Sequence, residues 1–237
     1  MKFPELKALS EKHLLPLVTE KGVSFDDISK CIGFKYVVDD VSFGVGTTFS
    51  DYNTSFGCLG FGASITFPKV AEILTPLLVK HQLLSSNHLK LLPTTIDSRF
   101  YKHVGKAIYP HNPNLRNNQE IIVSNETEAQ VFLDHFINFY KQEALVFFEE
   151  FGTLQNFAQF LAGVSFDDML IQFEDDYDAF LLKAVVLHLT NHPQYAAYMD
   201  EVIASNKADY EDDPSEEVNR WYYEASLELI EILDGLG

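Results

Sequence analysis

Apolar and polar positions change their period along this chain, and each change predicts a different kind of element. From Pro4 to Glu20, Leu6, Leu9, Leu14, Leu17 and Val18 recur at near-helical spacing behind a proline suited to a first turn, so a helix disturbed at Pro16 is expected. A short second helix is expected near Phe25 to Cys31. The period then shortens. FKYVVDD, VSFGVGTTF and CLGFGASITF are rich in β-branched and aromatic residues, broken by glycine and by Asp51-Tyr52-Asn53-Thr54, which predicts antiparallel strands with a hairpin. Strands are expected to concentrate between Phe34 and Phe67 and to be absent after Gly163.

Pro68 opens PKVAEILTPLLVKHQLL, whose residues Val70, Ile73, Leu74, Leu77 and Leu78 make one helical stripe, expected to cover a face of the sheet. Residues 85–118 are the least regular, with prolines and asparagines around a short helix expected near Ser98 to Ile108. A further strand is expected at Glu120 to Val123. Asn125 followed by Glu128 reads as a capping box ahead of an aromatic-rich helix, and Thr153 as the cap of another that Gly163 ends. The rest reads as helical: a short helix from Phe166, one through FLLKAVVLHL, one after Pro193, and a terminal amphipathic helix capped at Ser215 and closed by Gly235. KADYEDDPSEE, between the last two, is expected to be a mobile charged linker. The fold class is therefore α+β: an antiparallel sheet with covering helices, then an all-helical acidic C-terminal region. The domains are read as 1–164 and 165–237, the second either separate or packed on the first.

One heptapeptide echoes another: Gly22-Val23-Ser24-Phe25-Asp26-Asp27-Ile28 and Gly163-Val164-Ser165-Phe166-Asp167-Asp168-Met169. Both contain what a helix start needs, a serine cap followed by acids, and their flanks do not match. Convergent capping is favoured over duplication.

Charge then narrows the function. The 237 residues carry −18 from 17 Lys+Arg and 35 Asp+Glu, and residues 165–237 hold 18 of the acids against Lys183, Lys207 and Arg220. A surface of that sign repels phosphate backbones and attracts basic proteins, so no nucleic-acid partner is expected for this C-terminal third and a basic protein is the expected one, with plain solubility as the alternative use. No apolar run is long enough to cross a bilayer, and the charged start MKFPELKALSEKH does not resemble a signal peptide. A cytoplasmic protein without a membrane partner is expected. The two cysteines, Cys31 and Cys58, make neither a disulfide framework nor a thiolate zinc site, and Cys58 reads as core.

Catalytic signatures are lacking. No nucleophile elbow, phosphate-binding loop or dinucleotide fingerprint is present, and Gly44-Val45-Gly46 and Gly60-Phe61-Gly62 read as bulges or sites of close packing. His188 and His192 have metal-ligand spacing but no glutamate between them, and His192 precedes Pro193, so they read as helix-end residues; neither metal nor cofactor is expected. Two sets of residues are candidate sites. The acids Asp175, Asp176, Asp178, Glu211, Asp212 and Asp213 read as an exposed protein-binding face. Arg99, Lys102, His103 and Lys106 share a face if 98–108 is helical, and could bind an anion or the chain's own acidic part.

VSFGVGTTF and CLGFGASITF with a covering helix, then FYKQEALVFFEEFGTLQNFAQFLAG and an acidic helical tail, resemble uncharacterised bacterial proteins that include immunity proteins of polymorphic toxin systems. The similarity is one of architecture over roughly residues 20–165. It implies a binding module, more readily than an enzyme, that would occlude a basic toxin. Two other readings stand beside it: a small-molecule-binding or hydrolytic enzyme with a site near residues 87–118, and a structural protein that oligomerises through its C-terminal helices.

Overall fold

The computed structural model describes residues 1–18, 24–25, 30–58, 60–83, 96–97, 120–166 and 179–236. The architecture is α+β, with antiparallel strand pairs within residues 24–123 and helices only, among the described residues, after Gly163. Two compact units divide the chain, Met1–Ile65 with Ile96–Glu150, and Thr66–Thr95 with Phe151–Gly237.

In the first unit, α1 (Phe3–Leu14) passes into a 3-10 turn at Leu15–Leu17, where Pro16 cannot continue the α-helical hydrogen bonds. The strands are β1 (Ser24–Phe25), β2 (Cys31–Val38), β3 (Val41–Thr48), β4 (Ser50–Tyr52), β5 (Ser55–Cys58) and β6 (Gly62–Thr66). Ser24 and Phe25 pair with Lys35 and Phe34, and Cys31 is already in β2. The helix expected there is thus corrected to strand at both ends, and the first copy of the echoed heptapeptide does not cap a helix at Ser24. Pairing with a neighbouring strand outweighs the local capping signal.

Asp39 and Asp40, both at positive φ (47° and 66°), make the two-residue turn between β2 and β3, the backbone that suits the twist of a tight hairpin. Ile32, Phe34 and Tyr36 alternate inward along β2 while Lys35 and Val37 face out. Gly33 faces Gly46 across the hairpin, and a Cβ on Gly33 would lie 2.5 Å from the Val45 carbonyl oxygen. Close approach of the two backbones explains that pair, and for Gly46 it is the close-packing alternative of the sequence reading. A five-stranded sheet runs β1-β2-β3-β6-β7, with β7 at Ile96–Asp97, and a three-stranded sheet runs β4-β5-β8, with β8 at Ile121–Val123.

The helix over these strands is α3 (Glu126–Phe139), extended by a π-helical turn at Tyr140–Ala144 into α4 (Leu145–Phe151). Its Phe132 and Phe136 are fully buried, within 5.1 Å of Phe49 and 6.2 Å of Phe34 respectively, and Phe61 touches both. Asn125 accepts from the Glu128 main-chain N–H at 3.0 Å, as the capping box requires. The return half of the box is shifted by one residue: Glu128 accepts from the Ser124 N–H and hydroxyl, at 2.7 and 2.6 Å.

In the second unit, α2 (Pro68–Lys80) buries Val70, Ala71, Leu74, Leu77 and Leu78. Its stripe packs against α6 (Ala179–Leu189) and α8 (Glu217–Asp234), so the helix expected to cover the sheet serves the helical unit, and α3 takes the sheet. Thr153 accepts from the Asn156 N–H at 3.1 Å and caps α5 (Leu154–Ala162), which ends at Gly163. α7 (Tyr195–Asp212) and α8 form an antiparallel pair. The charged linker is corrected to a turn, because α7 continues to Asp212 and only four residues join it to α8. Ser215 is not the cap of α8; Glu216 occupies that position with no side-chain hydrogen bond.

Candidate functional site

Acid-rich helices end where their chain geometry is redirected, and the α7–α8 turn shows how. Past Asp212 the backbone leaves the helix (Asp213 φ −131°, ψ 84°), Pro214 prevents its continuation, and the Asp213 carboxylate accepts from the Ser215 N–H at 3.1 Å and hydroxyl at 2.6 Å. Those bonds hold the Asp213 carboxyl below its ordinary range, hydroxyl contribution first. Tyr210 and Tyr223 stack at 5.9 Å across the pair. Residues 209–217 hold six acids and no base, and all six are exposed. The neighbouring cations are engaged: Lys207 lies 3.6 Å from Glu211, and Arg220 lies 3.8 Å from Glu217 and 3.9 Å from Glu224. One end of the hairpin is therefore a strongly negative surface with its few bases already paired.

Next to this turn lies a cavity of about 270 Å³, lined by the polar residues Ser205, Asn206, Asp209 and Asn219 together with Phe166, Phe180, Val218 and Tyr222. Helix pairing sets the asparagines. Asn206 Nδ2 donates to the Tyr222 carbonyl at 3.4 Å and Asn219 Nδ2 to the Asp209 carbonyl at 3.2 Å, so each amide bridges the two helices. Phe166 and Phe180 pack at 4.7 Å.

Lys183 of α6 is buried, donates to the Val164 carbonyl at 2.6 Å and lies 4.4 Å from the centre of the Tyr198 ring. Burial pushes its ammonium down to about 8, against a smaller upward pull from Glu201. Tyr198 donates to the Phe180 carbonyl at 3.3 Å, and burial raises its hydroxyl. An ammonium over an aromatic face, capping a carbonyl just beyond α5, makes Lys183 a packing residue of the helical unit.

Of the sequence-predicted acids, Glu211, Asp212 and Asp213 are brought together at the turn, with Asp213 also bracing it. Asp175, Asp176 and Asp178 lie outside the described residues, as do Arg99, Lys102, His103 and Lys106 and the expected helix 98–108. The ring of His188 meets Tyr195 at 4.8 Å, and His192 Nδ1 accepts from the Gln194 N–H at 3.3 Å. Among the described residues no three of His, Cys, Asp and Glu are grouped for a metal. Cys58 is buried, 3.0 Å from the Thr47 hydroxyl, and burial pushes its thiol up to about 11. Among the described residues no helix is long and apolar enough to cross a membrane.

Sequence reasoning missed the cavity. Asn206 in mid-helix was the available signal, since asparagine is a poor interior helix former unless its amide is used. No protein-family model, no curated protein and no solved structure matches the chain.

Proposed function

We propose that this chain is a protein-binding module whose acidic α7–α8 end meets a basic surface on another protein. The observation that supports the reading is the concentration of six exposed acids on residues 209–217, around a turn that Asp213 and Ser215 hold in one conformation. Such a surface accelerates encounter with a positive partner and suppresses encounter with polyanions. The narrower reading is an antidote of the toxin-immunity type. Its support is the architectural resemblance together with the charge, since a protein that occludes a basic active surface needs complementary sign and no chemistry of its own.

A photo-crosslinking residue placed at Glu216, and separately at Lys35 on the sheet, tests this in the cells that make the protein. Both positions are exposed. A basic protein crosslinked from position 216 and not from 35 is the expected result. A partner reached only from position 35 would move the binding surface to the sheet and contradict the reading.

A further inference from the structure

The cavity beside the acidic turn mixes polar and aromatic lining and holds one charged side chain, Asp209. Each asparagine gives one N–H to a main-chain carbonyl, so the atom there is the donor nitrogen, and its amide oxygen accepts from no partner among the described residues. The Asp209 carboxylate has no hydrogen bond or ion pair among the described residues. With the Ser205 hydroxyl, the polar lining therefore offers acceptors and one negative charge, beside the remaining N–H of each asparagine. Phe166, Phe180 and Tyr222 add aromatic rings to the lining. No lysine, arginine or histidine lines it among the described residues, and the nearest bases in sequence are engaged elsewhere, Lys207 with Glu211 and Arg220 with Glu217 and Glu224.

A carboxylate and amide oxygens beside aromatic rings match a cation with an apolar stem. An anion would meet Asp209, and a neutral apolar group would leave that carboxylate without a counter-charge. The volume, about 270 Å³, suits a side chain rather than a large ligand. We infer that this cavity is a pocket for a single guanidinium or ammonium side chain presented by the partner, with Asp209, Asn206 and Asn219 receiving its N–H groups and the rings enclosing its stem. A planar guanidinium, which stacks on aromatic rings and forks onto oxygens, is the better fit of the two. The partner as the source of the cation rests on the protein-binding reading; the pocket's preference for the cation does not.

The test uses the full chain and N-butylguanidinium chloride as probe, followed by NMR chemical shifts, with butanol and matched sodium chloride as controls. Saturable shifts at Asn206, Asn219 and Tyr222 are expected with the probe and with neither control. D209N keeps the shape and should weaken the probe about tenfold, the loss of one charge-assisted contact. E231Q, which removes an exposed acid elsewhere on α8, should leave it unchanged. An unaltered melting temperature in D209N shows that the fold is kept. No saturation, or equal weakening by D209N and E231Q, would overturn the pocket. A capped Gly-Arg-Gly peptide separates the sources: binding at least as tight as the probe supports a partner side chain. Exclusion of the peptide while the probe still binds would overturn that source and leave the pocket to small free amines. The crosslinking result at position 216 fails or succeeds independently of the probe.

Discussion

His81, at the end of α2, places Nε2 2.8 Å from the carboxylate of Glu228 on α8, and Lys80 donates to the same carboxylate at 2.6 Å. Two successive residues of one helix thus grip one acid of another, and Glu224 stands 3.9 Å from the other ring nitrogen of His81. Lys80, then His81, hold the Glu228 carboxyl below its ordinary range.

A group whose folded value is depressed stabilises the fold above its unfolded value and loses that contribution as pH falls through the folded one. Wild-type stability should therefore drop as pH falls below about 4.3, the ordinary glutamate value. E228Q should lose about 1 kcal/mol at pH 7, where the partly exposed Lys80–Glu228 contact is charged, and lose less below pH 4. Urea unfolding from pH 3 to 7 measures both. An equal loss at both ends of the range would show that the contact is not electrostatic.

Lys183 predicts the opposite limb. Its folded value is about 8 and the ordinary lysine value about 10.4, so between them the unfolded chain binds more protons and stability rises with pH. Cys58 and Tyr198, both raised, push the other way above about pH 8.5 and 10. They are common to wild type and K183M, so the difference between the two isolates Lys183. That difference should change by up to about 1.4 kcal/mol per pH unit between pH 8 and 9.5. A pH-independent difference, from the same urea titrations, would mean that Lys183 is not desolvated in the folded chain.

Cys58 should be unreactive. A buried thiol held protonated to about pH 11 has almost no thiolate at neutral pH, so iodoacetamide should modify it only on unfolding, while half-exposed Cys31 is labelled in the folded chain. Mass spectrometry of timed labelling decides it. Labelling of Cys58 at a rate near that of Cys31 in native buffer would contradict the burial described here.

Much of the fold was legible where one residue type has one local use. Pro16, Asn125, Thr153 and Gly163 sit where their backbone chemistry predicts, and the inward alternation of Ile32, Phe34 and Tyr36 marks a strand. Ser24 was misread because the same Gly-Val-Ser-Phe stretch satisfies a helix start or a strand, and only the partner at Lys35 decides. The stripe of α2 was read correctly and its partner was not, because periodicity shows that a face is buried and not what it is buried against. At the site, charge revealed Glu211, Asp212 and Asp213. The cavity was not legible, since Phe166, Phe180, Asn206 and Asn219 come from separate segments and meet only through helix packing.

The rate of association with the crosslinked partner tests the central claim most directly. Residues Asp175, Asp176, Asp178, Glu211, Asp212 and Asp213 changed together to Asn or Gln should lower the association rate constant several-fold, with a smaller change in dissociation, and added salt should lower the wild-type rate likewise. Stopped-flow mixing of the purified pair, with and without 0.5 M sodium chloride, reads both. An association rate indifferent to the six substitutions and to salt would contradict the account, and would mean that the acids keep the chain soluble while its binding surface lies elsewhere.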